Sequence, residues 1–148
     1  MSASQSRGSI TAKLMRRIKT SANLSTVLRA VENAQIAPLH QYIEQLILDS
    51  GIPAADLFDQ IALERTMGFR MLKGQRNPSR NVLLRMAIVL KLSTENTQLL
   101  LQSGGKAQLY PRLRRDAIIL FAIAHDYSLP ATEEMLLRME ETSLYVRI

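Results

Sequence analysis

Apolar residues recur along this chain every three to four positions, and nowhere do they alternate with polar ones over a useful length. Leu39, Tyr42, Ile43, Leu46 and Ile47 follow the i, i+3, i+4, i+7, i+8 spacing of one helical face, with Pro38 at the head and Gly51 as a stop. The same periodicity predicts helices over 53–62 (Leu57, Phe58 and Ile61 inward, Asp56 in the first turn) and, after a turn at Ala62–Leu63, over 64–73 (Met67, Met71 and Leu72 inward). Gly68 inside the latter costs about 1 kcal/mol relative to Ala, which suggests a close approach of another backbone there.

Further on, Ser79 is read as the cap of a helix over 81–91 and Ser93 as the cap of one over 94–102, stopped by Gly104–Gly105. Pro111 precedes a helix over 112–125, which holds the longest apolar run, Ala117–Ala124, and reads as the most buried. The last helix, 131–141, turns Met135, Leu136 and Met139 inward and Glu133, Glu134, Glu140 and Glu141 outward. Near the start, 10–19 is a short basic amphipathic segment and 25–34 a helix capped by Ser25, while Ser/Gln/Gly-rich Met1–Ser9 is expected to be disordered. The expected class is all-α, organised as a basic N-terminal arm (1–36), a central domain (37–106) and a helical extension (107–148) packed on it.

Charge sharpens this outline. Residues 1–36 carry six cations and one acid, 37–106 eight against six, and 107–148 five against six, so the net +6 is concentrated in the first two segments. From Arg65 to Lys91 there are seven cations and no acid, which favours a polyanion such as nucleic acid over a merely solvated face. The basic arm over 10–19 reads as solvated, or as touching phosphates or an acidic protein surface; membrane binding is disfavoured by its lack of aromatic residues. No segment has the ~18 uninterrupted apolar residues of a membrane span, and the lack of an export signal and of Cys makes the cytoplasm the expected compartment. Without Cys, with His40 and His125 far apart and no Gly-rich phosphate loop, neither a metal, a cofactor nor catalysis is expected. Arg114, Arg115 and Asp116 are expected in surface or inter-helix ion pairs.

From about Leu39 to Leu92 the sequence resembles the lambda-repressor-like helix-turn-helix domain of the XRE family of bacterial and phage regulators. The resemblance rests on Leu57 in the second helix, the turn at Ala62–Leu63, Arg65–Thr66 at the head of the next helix, the exit loop Lys73-Gly74-Gln75-Arg76-Asn77-Pro78-Ser79, and the following helix through Leu92–Ser93. Leu109–Arg112 and Arg115–Ala122 are similar to a subgroup with two extra C-terminal helices. The chain departs from the family in having Ala54 where Gln is frequent, Phe58 where Ala is usual, Leu72 where Glu is frequent, and Glu64 at the turn. The resemblance implies a regulator that binds double-stranded DNA as a homodimer, with helices 112–141 as the dimer contact. Helix 64–73 would enter the major groove, with Arg65, Thr66 and Phe69 at base edges and Arg70, Lys73, Arg76 and Arg80 on phosphates. The competing expectation is a protein-interaction module on the same scaffold, engaging its partner through the arm or the extra helices, which Ala54, Phe58 and Glu64 favour.

Overall fold

The computed structural model describes residues 3–20, 23–25, 27–28 and 38–147. Among them are eight α-helices and no strand, so the protein is all-α. The chain divides into two units, Met1–Pro38 and Leu39–Ile148.

In the first unit, α1 spans Ala3–Thr20 and so runs through seven residues expected to be disordered. Once the amphipathic 10–19 segment is helical, each further residue adds one hydrogen bond, which is less costly than starting a new turn. Met15 and Ile18 on α1 are about half exposed. Asn23, not Ser25, begins the next turn: its Oδ1 accepts from the Ser25 N–H at 2.9 Å, and its carbonyl accepts from Val27. The rest of the expected 25–34 helix lies outside the described residues.

The second unit holds α2 (Leu39–Ser50), α3 (Ala54–Gln60), α4 (Arg65–Leu72), α5 (Arg80–Val89), α6 (Thr94–Ser103), α7 (Arg114–Ala124) and α8 (Leu129–Arg138). The apolar face read for α2 is buried at Tyr42, Ile43, Leu46 and Ile47. Ser79 and Ser93 cap α5 and α6 as expected, and Ser128, unnoticed in the sequence, caps α8 just ahead of Pro130. Helices α3 to α8 all end alike. In each, an N–H returns to the carbonyl five residues back (Leu63 to Phe58, Gln75 to Arg70, Leu92 to Ala87, Lys106 to Leu101, Tyr127 to Ala122, Glu141 to Leu136) at 2.8–3.0 Å. The residue before each donor is left-handed, and in four cases it is not glycine: Ala62, Lys91, Asp126 and Glu140 have φ of 55–59°. Exposed Ala62 carries the steric cost of that conformation with no compensating side-chain contact. Ala62→Gly is therefore expected to stabilise the protein by about 0.5–1 kcal/mol after allowing for the looser unfolded chain, read as a higher urea midpoint at unchanged m-value.

The most enclosed helix is α5, not α7 as the apolar run suggested. Residues 83–88 of α5 are buried without a break, because α5 packs against α3, α6 and α8, while Phe121 of α7 stays 46% exposed. The extension is thus part of the same packed unit as α2–α6. Glu133, expected outward, turns its carboxylate in: Oε2 accepts from the Leu144 N–H at 3.0 Å, and Oε1 is buried without a hydrogen-bond partner. Of the three charged residues heading α7, Arg114 and Asp116 form the expected pairs, with Glu141 and Arg80. Arg115 instead donates to Asn81 Oδ1 and to the carbonyls of Thr142 and Ser143.

Candidate nucleic-acid interface

Helices α3 and α4 are joined by Ile61–Glu64, with Ala62 reversing the chain and Glu64 preceding α4 in extended backbone. Gly68 and Met71 of α4 are buried. The close approach at Gly68 is to a ring rather than to a backbone: a Cβ there would sit 2.5 Å from the Phe58 side chain. Phe58 thus fills the space that a side chain at 68 would need. At about 100° per residue, Arg65, Phe69, Lys73, Thr66 and Arg70 share one arc of α4 roughly 140° wide, opposite Gly68 and Met71. All five are exposed. Phe69 both packs and faces outward: it meets Phe58 edge-on at 5.2 Å and remains 42% exposed.

The seven-cation run does not form one basic face. Arg85 is only 6% exposed; its Nε donates to the Ile61 carbonyl at 2.8 Å and its Nη1 to the Leu144 carbonyl at 2.6 Å, with Tyr145 stacked 4.8 Å away. Burial pushes its pKa down, opposed by Tyr145 and Glu133. Arg80, read as a phosphate contact, is turned inward. Its guanidinium is shared between both oxygens of buried Asp116 (3.0 and 3.3 Å) and the carbonyls of Ala107 and Gln108. With four donors committed internally and a side chain only 23% exposed, it is withdrawn from the phosphate set. Lys91 Nζ donates to the Asp126 carbonyl at 3.1 Å.

Arg65, Arg70, Lys73, Arg76 and Lys91 are exposed, the first four on α4 or just after it. Arg65 is gripped by Asp59 of α3 through two bonds, Nε–Oδ1 at 3.2 Å and Nη2–Oδ2 at 2.7 Å, both side chains being more than half exposed. Sequence reading missed this partner, although a spacing of six across a short turn is a usable signal. Arg76 lies over α4, its Nη2 3.3 Å from Met67 Sδ.

The Arg65 hydrogen bond holds the Asp59 pKa below its ordinary value, opposed by desolvation and helped by the attraction of the charge. A carboxylate lowered in the fold contributes stability above its unfolded pKa of about 3.9 and loses it as pH falls through the folded value. The pair is therefore intact at neutral pH. Asp59 should titrate below the ordinary range by NMR and return to it in Arg65→Ala; an unchanged titration would show that the pair does not persist in solution.

Two hollows bear on the interface, one beside these elements and one between α7 and α8. One, of about 830 Å³, lies between the 62–64 turn, Met67 and Met71 of α4, the 76–79 loop and residues 145–147. The other, of about 400 Å³, is apolar and bounded by Ala117, Ile118 and Phe121 of α7 and Met135 and Met139 on the α8 side. Among the described residues no cluster of His, Cys, Asp and Glu could hold a metal ion, and no helix is long and apolar enough to cross a membrane. No protein-family model, characterised protein or solved structure matches the chain.

Proposed function

We propose that the chain is a transcriptional regulator that binds double-stranded DNA through a lambda-repressor-like helix-turn-helix, with α3 and α4 as its two helices and α4 in the major groove. The observation that carries this reading is the exposed arc of α4, where Arg65, Thr66, Phe69, Arg70 and Lys73 stand clear of the packed face at Gly68 and Met71. Thr66 and Phe69 suit a thymine methyl, and Arg65, once released, suits the O6/N7 edge of guanine. Arg70, Lys73 and Arg76 serve phosphates and set salt dependence rather than sequence preference. A homodimer on two half-sites one helical turn apart would use the apolar α7–α8 hollow as its contact.

The test is a salt titration on random-sequence duplex with, in parallel, selection from a random duplex library. Enrichment of a two-fold site together with steep loss of affinity at higher salt supports the reading; no binding at ~50 mM salt overturns it.

Because Asp59 competes with DNA for Arg65, Asp59→Asn should tighten binding several-fold and steepen the salt slope by about 0.9 for one added phosphate-like contact. Fluorescence anisotropy at three salt concentrations reads both changes, and equal or weaker binding would show that Arg65 has no part in the interface.

The second reading, a protein-interaction module, is favoured by that same engagement of Arg65 and by the exposed acid Glu64 at the head of α4. Replacing Arg65 and Arg70 by Ala separates the two, since DNA affinity collapses only under the first.

A further inference from the structure

Residues 142–147 carry no regular structure, yet side chains from three helices grip their backbone. Arg115 of α7 donates to the carbonyls of Thr142 and Ser143 at 2.9 and 3.3 Å. On α5, Arg85 holds the Leu144 carbonyl and Asn81 Nδ2 the Val146 carbonyl at 2.6 and 2.8 Å, while Glu133 of α8 accepts the Leu144 N–H. Leu144 is fully buried. If filling the core were the whole purpose of the segment, it could leave the surface at Leu144. Instead Asn81, itself buried, fixes it two residues further on. That tether carries Tyr145, Val146 and Arg147 along the wall of the 830 Å³ cleft facing the α3–α4 turn and the 76–79 loop.

Arg147 thereby lines the same cleft as Arg76, whose guanidinium contacts Met67 of α4. Both cations are exposed. The ion pairs among the described residues are made by Arg65, Arg80, Arg114 and Arg138, so neither Arg76 nor Arg147 is paired with a side-chain carboxylate of those residues. Glu64, in the turn, is the single acid lining the cleft. A flexible cation would lose entropy on meeting a phosphate, whereas one carried on a backbone fixed by Arg85 and Asn81 loses less.

We propose that residues 143–147 form a second, non-helical part of the nucleic-acid interface, in which Arg147 contacts the phosphate backbone beside Arg76. This rests on the reading of α4 as the DNA-binding helix, and the contact carries no base preference.

The test compares the full chain with Arg147→Ala and Arg112→Ala on random-sequence duplex at several salt concentrations. Arg112 is an exposed cation outside the cleft, so its removal lowers the net charge equally. Arg147→Ala is expected to weaken binding roughly 3- to 10-fold and to flatten the log–log salt slope by about 0.9, at unchanged melting temperature, while Arg112→Ala changes little. If Arg147→Ala binds like the parent, or if Arg112→Ala loses as much, the segment is no part of the interface although the α4 reading stands. If the parent chain binds no duplex, both readings fall together.

Discussion

Replacing Arg85 by Met is expected to lower the unfolding free energy by about 3 kcal/mol, one of the largest losses from any single polar substitution in this chain. Its two bonds join parts of the molecule that share no other polar link of this kind: the Ile61 carbonyl ends α3 at the turn before α4, and the Leu144 carbonyl belongs to the segment beside the cleft. Met matches the length of the aliphatic stem but leaves two buried carbonyls without their donor, and an orphaned buried acceptor costs roughly 1–3 kcal/mol. Opposing this, a desolvated guanidinium is itself costly, as its lowered pKa records, so the net loss is smaller than two full penalties. Arg85→Lys should recover little, because a single ammonium on a flexible stem cannot meet two carbonyls from one planar fork. Urea denaturation gives the magnitude, and amide exchange at Leu144 gives the location, since its N–H, bonded to Glu133, should lose protection before the amides of α5 do. A loss below about 1 kcal/mol would mean that water replaces the guanidinium at both carbonyls.

Arg85 also marks the limit of what the sequence discloses. Its place in a run of cations without an acid reads as surface charge, and charge alone cannot separate an exposed Arg from one that has buried its stem and spent its donors on carbonyls. The partners of Arg80 and Arg85 lie up to 59 positions away, in a loop, a helix and an irregular segment with no periodic signal. Local features were legible. The faces of α2 and α3, the Ser79 and Ser93 caps and the stops at Gly51 and Gly105 each depend on residues within one or two turns. Burial order was not, because the eight-residue apolar run of α7 and the mixed sequence of α5 differ in how many neighbours surround them, which is a tertiary property. On the candidate interface the exposed arc of α4 follows from the 3.6-residue repeat, whereas the loss of Arg80, the capture of Arg65 by Asp59 and the arrival of Arg147 each require the folded chain.

The pairing of Phe58 with Gly68 should appear as strong non-additivity in a double-mutant cycle. Phe58 is fully buried, and its truncation to Ala is expected to cost about 3–5 kcal/mol through lost burial and the cavity left behind. Gly68→Ala, a change that stabilises an ordinary helix interior by about 1 kcal/mol, is expected here to destabilise by roughly 1–3 kcal/mol, because the new Cβ lands 2.5 Å from an aromatic ring held on all sides. Combined, the two changes relieve each other: with the ring gone, the methyl at 68 enters the space it vacated and the helix propensity of Ala is realised. The double variant should be at least about 1 kcal/mol more stable than the sum of the single losses predicts. The consequence extends to the interface, since the Phe58 ring also supports Phe69 edge-on, and α4 rests on it through Gly68. Gly68→Ala must therefore tilt or shift α4 to make room, and under the proposed DNA-binding function affinity for duplex should fall further than the modest loss of stability explains, recovering in part in the double variant. Additive stabilities would show that α4 moves freely relative to α3, and the exposed arc could not then hold a fixed register for reading a groove.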